Sequence, residues 1–145
     1  MFKHILLPTD GTPPSLRAAR LAVELAKRCG ARLTALHVVE CSPARAHRGG
    51  VATLAEIDGI VEAQRISVAH LGEVEAIALA QGTPCAGEQV THASPGHAIV
   101  EFANHHACDL IVMGTHGRRG LERLVLGSKT EQVLLATRVP VLVCP

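Results

Sequence analysis

The sequence predicts a single α/β domain, in which a parallel sheet of five strands carries helices on both faces. Two observations lead to this prediction. Short apolar runs alternate along the chain with longer segments whose apolar residues recur at helical spacing. The chain has 145 residues, 48% of them apolar, which fits one domain with its own core. Because a helix separates each strand from the next, the connections are crossovers and the strands run parallel.

The first three elements carry short and specific signals. Ile5–Leu7 is an unbroken apolar run, typical of a strand that is buried on both faces. Thr12 can cap a helix, and the proline that follows it fits the first helical position. We expect this helix over Ser15–Cys29, ended by Gly30, and a second buried strand over Leu33–Val39.

The remaining elements follow the same alternation, and no linker or repeat divides the chain. A polar stretch at 41–50 predicts a loop. The sequence then predicts a helix over Val51–Gln81, a weak strand over Glu88–His92, a helix that begins at Ser94-Pro95, a strand over Leu110–Met113, a glycine-rich loop over Gly114–Gly127, a helix over Ser128–Ala136 and a strand over Val141–Val143.

Composition excludes several classes of protein. Lys and Arg number 14 against 13 Asp and Glu, and a net charge of +1 argues against a broad basic field for nucleic acid. No apolar stretch reaches the ~18 residues of a membrane span. The run at Ile5–Leu7 is too short for a signal peptide. We therefore expect a cytoplasmic protein that binds neither nucleic acid nor membrane.

Neither the cysteines nor the histidines form a recognisable site. The five cysteines are odd in number and include no C-x-x-C pair, so we expect buried free thiols in a reducing compartment. The nine histidines show no metal-ligand spacing on a predicted helix. Surface or loop positions are therefore the better interpretation for them, and no metal site is predicted.

Three segments of unusual composition follow predicted strands, which is where an open parallel sheet binds ligands. They are Pro8–Gly11, His37–Glu40 and Gly114–Gly117, and the helix after the third begins at Gly127-Ser128. Glycine lets the backbone approach a ligand, and a helix start presents unpaired N–H groups. Together they predict an anion site of the kind that holds phosphate. A tight turn with Ser128 as an N-cap is the alternative interpretation.

Two familiar phosphate motifs do not account for this pattern. Gly127-Ser128-Lys129-Thr130 is not a P-loop, because a serine separates the glycine from the lysine. No G-x-G-x-x-G follows the first strand.

The spacing Gly114-x2-Gly117-x9-Gly127-Ser128 resembles the nucleotide-binding signature of the ATP-binding universal stress proteins. The segments ILLPTDGT at Ile5–Thr12, DLIVMGTHGR at Asp109–Arg118 and PVLV at Pro140–Val143 are also similar to that family. The resemblance covers nearly the whole chain and is weakest over about 41–87.

This resemblance implies a doubly wound, Rossmann-like domain of the adenine nucleotide alpha hydrolase type, with strand order 3-2-1-4-5. It implies ATP as the ligand, often with Mg²⁺ or Mn²⁺, and a homodimer through the last strand, about Val139–Cys144. By motif position, the nucleotide would be bound by Pro8, Thr9, Asp10, Val38, Met113, Gly114, His116, Gly117, Arg118, Gly127, Ser128, Lys129 and Thr130.

Several of these residues admit two interpretations. Asp10 suits a ribose hydroxyl or a cap of the helix turn, and Val38 suits a wall for the purine or plain core packing. Lys129 departs from the family, where a small apolar residue is usual. A cation in the first helical turn opposes the helix dipole unless it neutralises a phosphate. Three arginines make the Gly117–Gly127 loop basic, either as a flap over phosphates or as a solvated loop.

Two classes of function remain open. The first is a regulatory, stress-response protein whose bound ATP alters its conformation or its choice of partner. The alternative is a slow ATPase or adenine-nucleotide hydrolase, although Glu122 is the only acidic residue between Gly114 and Gly127 and no positioned base is evident. A flavodoxin-like carrier is not expected, because Phe2 and Phe102 are the only Phe, Tyr or Trp residues that could flank a flavin.

Overall fold

The computed structural model describes residues 1–42, 49–115 and 126–145. Strands and helices alternate through them in the predicted order. The elements are β1 (His4–Pro8), α1 (Pro13–Cys29), β2 (Arg32–Glu40), α2 (Leu54–Ala80), β3 (Cys85–His92), α3 (Pro95–His105), β4 (Leu110–Gly114), α4 (Ser128–Ala136) and β5 (Val141–Cys144).

The strands form one sheet in the order β3-β2-β1-β4-β5, and every neighbouring pair is parallel. This confirms the predicted doubly wound α/β fold. The chain moves outward from β1 through β2 to β3 and then returns to add β4 on the other side of β1. The strand order therefore reverses between β1 and β4, where an open sheet leaves a crevice for a ligand.

The central strand β1 is buried from both sides, as its unbroken apolar run predicts. Ile5, Leu6 and Leu7 are each 0% exposed. Ile5 and Leu7 belong to the core cluster that includes α1 and α2, whereas Leu6 belongs to the cluster on the opposite face with α3 and α4. Alternate residues of one strand thus anchor the two helical layers.

The third strand is longer than predicted, since it begins at Cys85 rather than Glu88. Gly87 lies inside the strand and pairs with Ala35 of β2. A Cβ at Gly87 would lie 2.5 Å from Oε1 of Glu75 on α2. This glycine therefore permits a close approach of the helix to the sheet.

The two long helices begin at different kinds of cap. α1 starts with proline directly after Thr12, as expected. α2 starts at Leu54, three residues later than the predicted Val51, because Thr53 and Glu56 form a capping box. Each of these two side chains accepts the backbone N–H of the other, at 3.2 and 2.7 Å. The capping box, which the apolar pattern alone does not reveal, sets the boundary.

The five cysteines are all free, as predicted, but only Cys108 is buried. The expectation of buried thiols is therefore wrong for the other four, which are partly exposed. Burial raises the pKa of Cys108 to about 11, and the charge of Asp109 adds to that effect. A thiol with such a pKa is a poor nucleophile at neutral pH.

No helix in ranges 1–42, 49–115 and 126–145 combines the length and apolar content that crossing a membrane requires.

Candidate functional site

A cleft of about 360 Å³ opens at the carboxyl ends of β1, β2 and β4, where the strand order reverses. Apolar side chains and polar groups both line it. The residues that line it are Pro8, Thr9, Asp10, Ser15, Leu36, His37, Val38, Val39, Glu40, Ala63, Ile66, Pro95, Ile99, Met113, Gly114, Lys129 and Thr130.

Most of the residues that the sequence analysis named are gathered at this cleft. Those that line it are Pro8, Thr9, Asp10, Val38, Met113, Gly114, Lys129 and Thr130. Gly127 and Ser128 lie next to it at the start of α4 but are not lining residues. His116, Gly117 and Arg118 fall outside the described residues, as do the arginines of the predicted basic loop.

The loop after β1 is held by bonds among its own side chains. Oδ1 of Asp10 accepts the backbone N–H of Thr12 at 3.1 Å and also its hydroxyl. Thr12 is the N-cap residue of α1, but its side chain accepts no helical N–H. The expected threonine cap is thus wrong in detail, because the hydroxyl donates to Asp10 instead. One of the two oxygens of Asp10 thus caps the turn that leads into α1, which was the alternative interpretation of this residue.

Thr9 and Ser15 complete this loop beneath Asp10. Their hydroxyl oxygens lie 2.8 Å apart, and Oγ of Ser15 also accepts the backbone N–H of Asp10 at 3.2 Å. Both side chains are buried. The second oxygen of Asp10 makes no hydrogen bond with the described part of the chain, so it remains available at the cleft.

A pair of histidines supports the loop from the α2 side. The rings of His37 and His70 lie 5.2 Å apart, and Nδ1 of His37 is 2.6 Å from Oγ of the buried Ser67. A Cβ at Gly11, where φ is +74°, would overlap the ring of His70. Gly11 is therefore required both by its left-handed backbone and by this close approach.

The prediction of surface or loop histidines is wrong for His4 and His37, which are buried in strands. Their rings are accommodated because Thr34 and Ser67 supply hydrogen-bond partners. Periodicity offered one signal for His37: as a neighbour of the apolar Leu36 and Val38 in a buried strand, it must face the opposite helical layer.

The start of α4 faces the same cleft from the β4 side. The Thr130 hydroxyl donates to the carbonyl oxygen of Gly114 at 2.9 Å, and the N–H of Gly127 donates to the carbonyl of Thr115 at 2.6 Å. These bonds fix the helix against the end of β4. The N–H groups of its first turn have no partner within the helix, so they are donors for an anion.

Gly114 has a packing role in addition to the predicted ligand role. A Cβ at this position would lie 2.9 Å from the carbonyl carbon of Pro14, at the start of α1. The absent side chain lets α1 approach β4, which brings the Asp10 loop close to the start of α4.

The apolar side of the cleft includes residues that the sequence analysis missed. Leu36 precedes the predicted Val38 by two residues in β2, and Ile99 on α3 belongs with both to one core cluster. Ile66 on α2 and Pro95 at the start of α3 also line the cleft. Because α2 and α3 carry no recognisable motif, only the tertiary fold shows that they reach the site.

The charged groups that line the cleft are Asp10, Glu40 and the half-buried Lys129. Glu40 lies at the far end of β2, beyond the part of that strand that pairs with β1. The pairing of β2 with β1 ends at Leu36, and Glu40 follows four residues later, which places it about 13 Å farther along the strand. Among the described residues, Asp10 and Lys129 are the charged groups from the segments that follow β1 and β4, between which the strand order reverses.

A divalent ion, which the family resemblance implies, finds few ligands here. Asp10 offers one unengaged carboxylate oxygen at the crossover, and Lys129 places a positive charge on the lining of the same cleft. Among residues 1–42, 49–115 and 126–145, no three His, Cys, Asp or Glu side chains converge on a possible metal site. These residues do not fit an ion held mainly by protein ligands.

Comparison with known proteins identifies relatives over the whole chain. Universal stress protein MJ0531 of Methanocaldococcus jannaschii is 37% identical over 145 residues, which cover 99% of this chain and 82% of that protein. The universal stress protein in QAH/OAS sulfhydrylase 3'region of Thermus aquaticus is 35% identical over 142 residues, or 98% of each chain.

Solved structures share the fold. A universal stress protein in complex with cAMP superposes with a TM-score of 0.75 at 24% identity, covering 99% of this chain and 97% of that one. A universal stress protein from Archaeoglobus fulgidus in complex with dAMP gives 0.68 at 20% identity, covering 100% and 98%. The model of the universal stress protein family matches residues 1–145. This chain therefore belongs to the universal stress protein family.

Proposed function

We propose that the cleft at the β1–β4 crossover binds an adenine nucleotide, with ATP as the expected ligand, and that residues 1–145 act as one nucleotide-binding domain. The observation that carries this proposal is the composition of the cleft. An apolar slot and the start of a helix with unpaired N–H groups open into the same cavity of about 360 Å³. A nucleotide has the same two parts, a flat base and an anionic tail.

The two sides of the cleft assign the parts of the ligand. The base occupies the apolar side, between Val38 on β2 and Met113 on β4. The free oxygen of Asp10 lies between the two sides, where it can accept a hydrogen bond from a ribose hydroxyl. The phosphates lie at the start of α4, with Gly127, Ser128, Lys129 and Thr130. His116, Gly117 and Arg118 stay predicted phosphate neighbours, outside the described residues.

Family membership supports a nucleotide ligand, and two structures of this fold are described as complexes with cAMP and dAMP. At 24% and 20% identity those two structures bear on the fold alone. The case for this chain rests on its own cleft and on its glycine-serine signature.

We propose a regulatory role rather than efficient catalysis. Of the two carboxylates that line the cleft, Asp10 is engaged with Thr12 and Glu40 lies far along β2. Neither is placed as a general base beside the phosphate end within the described residues. Such a protein would act differently when its cleft holds a nucleotide and when the cleft is empty. Steady hydrolysis of ATP, with many turnovers per site, would contradict this role.

We also propose that the chain dimerises through β5. β5 pairs only with β4 in the described sheet, and its other edge is open. Leu142 in β5 is 37% exposed, and Leu135 on α4, the helix that precedes β5 in the chain, is 82% exposed. An open strand edge beside apolar side chains suits a two-fold pairing. Sedimentation velocity measures this assembly, and a monomer at every concentration would contradict it.

Calorimetric titration with ATP, AMP and adenosine tests the binding proposal. In a Val38→Trp variant the indole fills the apolar slot, so we expect ATP affinity to fall at least ~10-fold, which corresponds to about 1.4 kcal/mol. Val68→Trp on the exposed face of α2, away from the cleft, is the matched control and should bind like the wild type. Equal affinity in all three proteins would refute this site.

A further inference from the structure

We propose that Lys129 supplies the positive charge at the phosphate end of the cleft, so that this chain binds its nucleotide without a divalent ion. The inference rests on the proposed function and specifies the form of ligand that the site accepts: the metal-free nucleotide anion rather than its magnesium complex. Three observations on the described residues carry it.

The first observation is the shortage of carboxylate oxygens at the crossover. Mg²⁺ in nucleotide sites is usually held by one or two carboxylates in addition to the phosphates. Oδ1 of Asp10 already accepts two bonds from Thr12, and these bonds shape the first turn of α1. The one remaining oxygen serves either a metal or the ribose, and Glu40 lies about 13 Å beyond Leu36, the last residue of β2 that pairs with β1.

The second observation is the position of Lys129. Its side chain lines the cleft beside Gly114 and Thr130, and it lies in the first turn of α4. The bond from Thr130 to the carbonyl of Gly114 fixes this turn against the end of β4. The backbone of Lys129 is therefore part of a helical turn that is hydrogen-bonded to the end of β4, rather than part of a loop.

The third observation is that this lysine has no counter-charge among the residues that the structure describes. Within the part of the chain that the structure describes, no carboxylate forms an ion pair with Lys129. A cation in the first turn of a helix is unfavourable, because it adds to the positive end of the helix dipole. An anion at this point would satisfy both the ammonium and the unpaired N–H groups. A divalent cation would instead compete with Lys129 for the same phosphate oxygens.

The test is calorimetric titration with ATP at constant ionic strength, once with EDTA and once with excess MgCl₂. We expect the wild type to bind ATP at least as tightly in EDTA as in excess Mg²⁺, because a divalent ion competes with Lys129 for the phosphate oxygens. In Lys129→Met, which removes the ammonium and keeps an unbranched side chain one atom shorter, ATP affinity in EDTA should fall at least ~10-fold, and Mg²⁺ should recover part of the loss. Lys129→Arg retains the charge and should rescue most of the metal-free affinity.

Two controls separate charge from general damage. Lys27→Met removes an exposed lysine at the end of α1, outside the cleft, and should leave ATP binding unchanged. Adenosine, which has no phosphate, should bind Lys129→Met and wild type equally. A loss of adenosine binding in Lys129→Met would show a reshaped cleft and would overturn the proposed role of the charge.

Other outcomes also decide the matter. Wild-type binding that requires Mg²⁺, or equal ATP affinity of Lys129→Met and wild type in EDTA, would overturn this inference and leave the proposed function intact. Failure of the wild type to bind either ATP or adenosine would overturn the proposed function and this inference together.

Discussion

The amino ends and the carboxyl ends of the central strands both carry histidine and aspartate side chains, but the two ends use them differently. At the amino ends, Nδ1 of His4 is 3.1 Å from the carbonyl oxygen of His106, and Nε2 is 2.8 Å from the Thr34 hydroxyl. Asp109, which precedes β4, accepts the N–H of Lys3 with one oxygen and that of His4 with the other, at 2.8 and 3.0 Å. Every polar atom of these two side chains has a protein partner.

At the carboxyl ends the comparable polar groups leave some of their hydrogen-bonding or ion-pairing atoms without a partner among the described residues. Asp10 uses one oxygen. Both ring nitrogens of His70 are buried without a hydrogen-bond partner among the described residues. Lys129 likewise forms no ion pair with any described residue.

The comparison separates stability from binding within one sheet. Satisfied polar groups at the amino ends stabilise the fold, because breaking them would leave buried atoms unpaired. Unsatisfied groups at the carboxyl ends lower stability slightly, and the two that line the cleft, on Asp10 and Lys129, are available to a ligand. Substitutions at the two ends should therefore differ in whether they change unfolding or binding.

The largest effect is expected at the amino ends. His4→Ala removes a buried ring and leaves the Thr34 hydroxyl and the His106 carbonyl without their partner. We expect the free energy of unfolding, measured by urea titration, to fall by about 3 kcal/mol. Nucleotide affinity should not change in the folded variant. His105→Ala on the exposed end of α3 is the control, with an expected change within about 0.5 kcal/mol. If His4→Ala lowers the free energy of unfolding as little as His105→Ala does, the amino ends do not stabilise the fold in the way proposed here.

A smaller effect is expected at Gly11, where the carboxyl-end loop meets α2. Gly11→Ala should cost about 2 kcal/mol of unfolding free energy, because the new Cβ has an unfavourable φ of +74° and overlaps His70. In a His70→Ala background the overlap disappears, and only the backbone cost of about 1 kcal/mol should remain.

Gly30 provides the matched control for this double-mutant cycle. Its φ is +63°, but no atom lies within 4 Å of the position that a Cβ would occupy. Gly30→Ala should therefore cost the same in both His70 backgrounds. If Gly11→Ala also costs the same in both, His70 does not support the loop.

The smallest effect concerns the pH dependence of the amino-end pair. Burial alone would raise the pKa of Asp109, but the N–H groups of His4 and Lys3 outweigh burial and hold the pKa below its ordinary value of 3.8. A carboxyl group whose pKa is lower in the folded state stabilises the fold above its unfolded pKa. This contribution is lost as the pH falls through the folded value.

Asp109→Asn should therefore be about 1 kcal/mol less stable than wild type at pH 7, and the difference should shrink as the pH falls below about 4. Urea midpoints of both proteins at pH 7, 5, 4 and 3 measure it. A difference that stays constant down to pH 3 would show that the charge of Asp109 does not contribute.

The fold was largely predictable because its signals are local. The apolar run at Ile5–Leu7 and the proline after Thr12 each point to one element, and alternation of elements fixes parallel strands. The limits of β3 and α2 were not predictable from periodicity. They depend on Gly87 making room for Glu75 and on the Thr53–Glu56 capping box, and these are contacts between particular side chains.

The site was predictable only where the chain itself forms a motif. Asp10, Gly114 and Lys129 directly follow a strand or begin a helix, so the rule for open sheets places them at the cleft. Ile66 and Ile99 reach the same cleft from the middle of helices, and nothing local distinguishes them from other core residues. His70 was missed for the same reason, because its significance comes from the absent side chain of Gly11.

The most direct test of the central claim is the ultraviolet spectrum of the protein purified without added nucleotide and again after incubation with excess ATP and desalting. The chain has no Trp and no Tyr, so the protein itself absorbs almost nothing at 280 nm and its two Phe contribute little near 260 nm. We predict a strong band at 260 nm that moves to the supernatant on heat denaturation and is identified by chromatography as an adenine nucleotide. A flat spectrum in both samples, with no heat on calorimetric titration of ATP, would contradict a nucleotide-binding cleft at the β1–β4 crossover.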